Sequence, residues 1–413
     1  MRRGLSSLVI VSFACIFSVC ARESLPPRNT LDANIEQAMK QWQVPGLAVV
    51  VVRDGETVLM RGYGSREAGK DLPIDEDTYL QIASNSKTFS AYLLGMLVDE
   101  GILKWDDPIK KYIPEFQLPD SYVTENVTVD DLLCHRSGLT GTVPGGFQNR
   151  DYTFEALLED IKTRELSIRF RSANNYSQVG MAILGEVVDR VTTQSWGENI
   201  RTRIFEPLGM KDSYTSNLDF EQRVGKHDSV ENIMQPAIKK DGVVSRGTWE
   251  SIGTEDLYAP AGGIISTMED MARWIAFRLN DGVHEGDQLI SREAIKEIRE
   301  IRIPTSFSSV GIPKSFIYPR TGLMGTGFGQ YTFEHRGNEV ITHNGGWMYS
   351  VIEVVPQESL GVGLFSNAEF SDLHPWEGMA FVNAVALIVI DHYLGYDYVD
   401  WSSEMLETVR QSP

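Results

Sequence analysis

The sequence predicts an α/β fold: one antiparallel sheet built from strands at the two ends of the chain, flanked by helices, with a mostly helical lobe inserted between. Three observations lead there. Strand-like patterns occur at residues 47–63 and again from about 327 to 367. Helical periodicity fills most of the interval between them. No repeat or low-complexity linker divides the 413 residues, which suffice for one large domain with an inserted subdomain, or for two. Pairing the early hairpin with the late strands closes one sheet that helices can cover. The expected boundaries are a leader at 1–21 and a main domain at 30–398. That domain divides into a sheet lobe (about 30–90 and 325–398) and a helical lobe (about 91–324), with a tail at 399–413.

The leader reads as a secretory signal. Arg2 and Arg3 give a basic start, Leu8 to Val19 is an apolar run too short to span a bilayer comfortably, and Val19-Cys20-Ala21 allows a cut after Ala21. A lipoprotein cut before Cys20 and an uncleaved anchor are the alternatives. Cleavage removes Cys15 and Cys20 and leaves Cys134 alone, so the mature chain has no intramolecular disulfide. A secreted or periplasmic protein is expected, without stable membrane insertion after cleavage. The formal net charge of −19 argues against nucleic acid and anionic membranes as partners.

The elements follow in order. Apolar spacing from Leu31 to Trp42 predicts an amphipathic helix that Pro45-Gly46 ends. Leu47 to Val52 is β-branched and apolar, Asp54-Gly55 is a hairpin turn, and Thr57 to Tyr63 is the return strand. A helix rich in Leu and Met runs from Ser84 to about Gly101. Thr128-x-x-Asp131 is a capping box, and Gly138 ends the turn that it starts. Residues 140–151 read as loop. Helical patterns return over about 153–165 and 179–204, after Ser266-Thr267-Met268-Glu269, read as a second capping box, and over Ser291–Arg302. Val351–Val355 and Gly361–Phe365 are the clearest late strands. Met379 to Tyr393 is apolar on most faces but carries Asn383 and ends in Asp391-His392, which favours a buried helix over a membrane span.

The chemistry centres on Ile82-Ala83-Ser84-Asn85-Ser86-Lys87. Ser84 falls at a helix N-terminus, where unpaired N–H groups and the helix dipole favour developing negative charge. Lys87, three residues on, shares its face, so a hydroxyl and an amine are placed to act as nucleophile and base. About one or two Ser-x-x-Lys matches are expected by chance at this length and ordinary composition, so the motif alone decides little. Collinear stretches strengthen it: Leu133-Cys134-His135-Arg136-Ser137-Gly138-Leu139, Tyr176-Ser177-Gln178, Pro260-Ala261-Gly262-Gly263 and His343-Asn344-Gly345-Gly346. No His-Glu-x-x-His or Cys-x-x-Cys spacing suggests a metal, and no cofactor is expected.

Taken together, and with Glu100–Pro108, Leu184-Gly185 and Phe365-Ser366-Asn367, these stretches resemble the large family of class C β-lactamase-related serine hydrolases. That family includes penicillin-binding-protein-like esterases, D-amino-acid peptidases and transesterases. The resemblance implies a β-lactamase/transpeptidase-like fold and an acyl-enzyme formed on Ser84. It implies that Lys87 takes or relays the serine proton, and that Tyr176 shuttles protons, with Lys87 supplying the positive charge a tyrosine base needs. His343 stands where β-lactamases have the lysine of Lys-Thr-Gly; it is expected to donate a hydrogen bond and to titrate near neutral pH. Gly345 and Gly346 allow close approach of substrate, and the N–H of Gly346 joins that of Ser84 in the oxyanion hole. Gln178 replaces the family's usual Asn, which holds the lysine and touches the substrate amide. With His343, it tilts the expectation toward esters or small peptides rather than β-lactams. Transesterase, acyltransferase or β-lactamase activity through the same acyl-enzyme is the near alternative; a non-catalytic peptide or peptidoglycan binder is the distant one.

Overall fold

A computed structural model describes residues 27–139, 141–143, 149, 151–240, 242–249, 256–305, 324–369 and 377–411. The proposed leader and most of the predicted loop at 140–151 lie outside the described residues. Helix α1 (Arg28–Trp42) leads into strands β1 (Gly46–Arg53) and β2 (Glu56–Gly64). Their turn has Asp54 and Gly55 at φ 52° and 84°, the paired positive values of a tight hairpin matched to strand twist.

The late strands are β3 (Ile303–Pro304), β4 (Met324–Thr326), β5 (Tyr331–His335), β6 (Asn338–Gly345), β7 (Ser350–Val355) and β8 (Leu360–Ser366). They join the hairpin in one eight-stranded antiparallel sheet of order β2-β1-β8-β7-β6-β5-β4-β3. Strand β1 therefore pairs Leu47 with Ser366 and Arg53 with Leu360, joining the two ends of the chain.

Strand β1 has no polar face because both faces are covered. Ala48, Val50 and Val52 belong to the core shared with the central helices; Leu47, Val49 and Val51 belong to the core under the terminal helices. On the first side lie α2 (Ser86–Asp99), α3 (Val129–Leu133), α4 (Gln178–Thr192), α5 (Ala259–Gly262) and α6 (Met268–Leu279). Helix α6 packs directly on the sheet, where Ile275 fills the space that side chains at Gly361 and Gly363 would need.

On the second side lie α1, α7 (Glu377–Leu394) and α8 (Trp401–Gln411). Helix α7 is long and apolar enough to cross a membrane by length and composition, yet its residues are mostly buried against the sheet and its neighbours. The segment read as a tail contains α8, which docks through Trp401, Met405 and Val409, all buried. Their i, i+4, i+8 spacing is the helical signal that the tail reading passed over.

Two other expectations shift. The helix predicted over 179–204 is interrupted where Thr193 adopts the left-handed conformation (φ 59°). The cap of α6 is Thr267, whose hydroxyl accepts from the Asp270 N–H, one residue later than the predicted Ser266. The Thr128–Asp131 capping box is present.

Candidate active site

Ser84 sits in a single 3₁₀ turn, Ala83–Asn85, that feeds directly into α2. Ala83 takes φ 48°, a left-handed conformation that costs a non-glycine residue about 1–3 kcal/mol and persists only where the surroundings enforce it. The enforcing contacts are visible. The Asn85 amide donates to the Ser350 hydroxyl (3.0 Å), which donates to the Ile82 carbonyl (2.9 Å). The Ser86 hydroxyl donates to the Ala83 carbonyl (2.7 Å) and accepts from the Ile264 N–H (3.1 Å). The Ser84 turn is thus fixed to β7 on one side and to the segment after α5 on the other.

Lys87 is fully buried. Its Nζ lies 3.1 Å from Ser84 Oγ and 2.5 Å from the Ala261 carbonyl oxygen. Neither partner is an acid, and burial pushes the Lys87 pKa well below its ordinary value. The amine is thereby biased toward its neutral form, whose lone pair can accept the serine proton. Ala261 was not assigned a role from sequence. Its Pro-Ala-Gly-Gly stretch was conspicuous, but a backbone acceptor has no side-chain signature.

Tyr176 immediately precedes Ser177, the N-cap of α4, whose hydroxyl accepts from the Gly180 N–H. Its ring lies beside Lys87, with Nζ 4.7 Å from the ring centroid. Burial raises its pKa, only partly offset by hydrogen bonds from Ser84 and Gln178. The expected phenolate is not favoured: Lys87 itself tends to neutrality and lies over the ring face, so it supplies little charge to stabilise one. Tyr176 is held as a phenol.

Gln178 differs from expectation too. It is not a partner of Lys87; its amide serves Tyr176, and its Oε1 is buried without a hydrogen-bond partner among the described residues.

His343 lies on β6, in a buried pocket with its ring 6.1 Å from Tyr176 and 5.5 Å from Tyr331. Its Nδ1 is 2.6 Å from the Asn344 carbonyl oxygen, which can only accept, so Nδ1 carries the proton. Burial, and then the nearby Lys87, hold its pKa down at about 3. The expected near-neutral titration is therefore overturned. His343 is a neutral imidazole whose other nitrogen, Nε2, is an acceptor, buried and without a partner among the described residues.

Gly345 and Gly346 differ in kind. A Cβ at Gly345 would lie 2.2 Å from Ser350 Oγ and 2.7 Å from the Ile82 carbonyl, so only glycine lets β6 press against the nucleophile turn. A Cβ at Gly346 would meet nothing within 4 Å. Its place is beside open space.

His135, unassigned from sequence, is the support under Tyr176. Its ring lies 4.6 Å from the tyrosine ring, its Nδ1 accepts from the Ser177 N–H (3.3 Å), and its carbonyl accepts from the Asn175 N–H (2.6 Å). Burial, Lys87 and His343 together push its pKa well down. Lys87, His135 and His343 thus form a dry basic cluster in which no acid is a partner of any of them among the described residues. No group of three or more His, Cys, Asp and Glu side chains suited to a metal occurs among the described residues.

A family model described as Beta-lactamase matches residues 31–378. The chain belongs to the beta-lactamase family. Its fold is also that of the octameric penicillin-binding protein homologue from Pyrococcus abyssi (TM-score 0.69, 23% identity, covering 90% of this chain and 78% of that one). A class C beta-lactamase from Rhodobacter sphaeroides is similar (TM-score 0.66, 19% identity, covering 88% and 99%). Among curated relatives, penicillin-binding protein 4 of Amycolatopsis lactamdurans is 26% identical over 79% of this chain and 82% of its own. Protein flp of Staphylococcus aureus strain MW2 is 26% identical over 61% of this chain, which spans about half (49%) of that relative's length. Within this beta-lactamase-family fold, Ser84, Lys87, Tyr176 and Gln178 are joined by hydrogen bonds. His343 is placed beside them by its ring contact with Tyr176. Gly345 abuts the nucleophile turn, and Gly346 follows it in the chain.

Proposed function

We propose that this protein is an exported serine hydrolase that acts through an acyl-Ser84 intermediate on esters or amides, including small peptides. The observation that carries the reading is the contact of 3.1 Å between Ser84 Oγ and a fully buried Lys87 with no acidic partner among the described residues. A lysine held that way is a base, whereas a lysine paired with a carboxylate is a charge.

The chemistry follows. Lys87 takes the Ser84 proton as Oγ attacks the carbonyl carbon. The developing oxyanion meets the N–H groups of Ser84 and Gly346, of which each is worth about 10²–10³ in rate. The C–O or C–N bond breaks as the Tyr176 phenol gives its proton to the leaving group, and the proton on Lys87 returns to the tyrosine. Water then attacks the acyl ester; its proton goes to the same base, and Ser84 is released with the carboxylic acid.

The neutral His343 and the unpartnered Gln178 oxygen support substrates without a carboxylate beside the scissile bond, because both present acceptors. Export is supported by the basic and apolar start of the chain, which also favours a secreted or periplasmic location with a small-molecule substrate.

Intact-mass analysis after fluorophosphonate treatment, with Ser84→Ala as control, tests the reading. One adduct that vanishes in the variant is expected. A folded parent protein that takes up no adduct overturns it.

A further inference from the structure

Arg278 is the one fully buried arginine of α6, 1% exposed, and nothing in the mechanism uses it. It stands four residues after Trp274, so the two share a face of the helix. That face meets α2: Trp274 stacks on Phe89 at 3.9 Å and meets the Tyr92 ring edge-on at 5.0 Å. A guanidinium has five N–H donors and stays charged under ordinary conditions. Here Nη2 donates to Gln330 Oε1 at 3.1 Å, while Nε and Nη1 have no hydrogen-bond partner among the described residues. The Tyr92 hydroxyl is the polar group that bears on the guanidinium, and it too is buried without a well-formed partner among the described residues.

Charge sharpens the point. Among the described residues no carboxylate bears on Arg278; its charged neighbour is Arg299, itself a cation, whose own pairing is to Asp281. Taking an uncompensated ion out of water is costly. Gln330 returns one neutral hydrogen bond against that cost. A water molecule in the gap would accept two hydrogen bonds and bring no charge. An anion would accept from every free donor and neutralise the guanidinium.

We propose that Arg278, with the Tyr92 hydroxyl, forms a buried site for one small monovalent anion of the halide class, between α2 and α6. The donors are buried, their net charge is positive, and the aromatic rings of Phe89, Tyr92 and Trp274 pack on the same face of α6. It lies behind α2, the helix that follows the Ser84 turn, and Arg278 is among the charges that act on His343. Occupancy therefore sets part of the field in the catalytic pocket.

The test uses the whole protein, unfolded in urea and refolded in sodium gluconate so that any trapped anion is released. Sodium chloride or bromide is then exchanged for gluconate at constant ionic strength. The expected result is a saturable rise in the urea midpoint with either halide, absent in Arg278→Met and reduced in Tyr92→Phe. Crystals grown in bromide should show one anomalous peak within hydrogen-bonding reach of the guanidinium. Equal midpoints in halide and gluconate, with no such peak in the parent protein, overturn the proposal. Should Arg278→Met fail to fold, the bromide peak in the parent decides alone. Serine labelling is read separately, so failure here leaves the catalytic reading untouched.

Discussion

His343 directs its Nδ1 proton to the Asn344 carbonyl oxygen, 2.6 Å away on the adjoining residue of the same strand. That bond fixes the tautomer and makes the nitrogen left over, Nε2, an acceptor. A lysine at this position would present a permanent donor cation instead. The expected outcome of His343→Lys is a shift in preference toward esters that carry a carboxylate near the scissile bond, by about tenfold or more in relative kcat/KM. A charge-assisted hydrogen bond is worth that much. Paired ester substrates with and without the carboxylate measure it. The parent protein's pH profile should show no step from His343 between about pH 5 and 8, because burial has moved its ionisation far below that window.

Lys87 sets a second expectation. The amine must be neutral to accept a proton, so kcat/KM rises with pH through the Lys87 pKa, and that limb lies well below lysine's ordinary 10.5. The same shift carries a stability cost. Folded Lys87 binds its proton less tightly than the unfolded chain does. The penalty is therefore full below the folded pKa and fades as pH rises toward the unfolded value. Lys87→Met should lower kcat by about 10²–10⁴ yet melt at a higher temperature than the parent at neutral pH. Steady-state kinetics and a thermal melt on the same preparation check both halves.

Two adjacent glycines should answer differently to the same change. Gly345→Ala forces its methyl group into Ser350 and the Ile82 carbonyl, pushing β6 away from the nucleophile turn. A loss of about 10²–10³ in kcat is expected, the size of one lost oxyanion donor. Gly346→Ala adds a methyl group in open space, and its fold should be unaffected. Comparing labelling rates with a fluorophosphonate separates the two, since the reagent needs the same oxyanion donors.

His135 touches Tyr176 and the backbone of Ser177, and among the described residues no hydrogen bond joins it to Ser84. It is a positioning residue. His135→Ala should lower kcat by about 10–10² with KM nearly unchanged, since a small displacement of a proton donor is costly. His135→Asn, which can still accept from the Ser177 N–H, should recover part of the loss. A purely structural role would lower the melting temperature of both variants without that partial recovery of kcat.

The sheet was legible because its two halves announce themselves locally. Asp54-Gly55 can make only a tight turn between two strand patterns, and the alternation at 351–365 is bounded by a turn of its own. Ser84 and Lys87 were legible because three residues of helix bring their side chains together. What escaped was set by burial and by backbone. The Ala261 carbonyl that holds Lys87 has no letter in the sequence. Ser350 is one serine among many until β7 brings it to Ile82. The charge states of Lys87, Tyr176 and His343 depend on how much water the packed lobes exclude, which no local pattern records.

The pairing of β1 with β8 has a temporal consequence. Leu47 meets Ser366 only after more than three-quarters of the chain has left the ribosome, and Ser84 waits as long for the glycine strand that completes its surroundings. Contacts of such long sequence separation make folding slow and late-closing. A chain that ends before β6 holds Ser84 and Lys87 but lacks Gly345 and Ser350, which pack on the Ser84 turn. The topology therefore assembles the surroundings of Ser84 only when the last strands have formed.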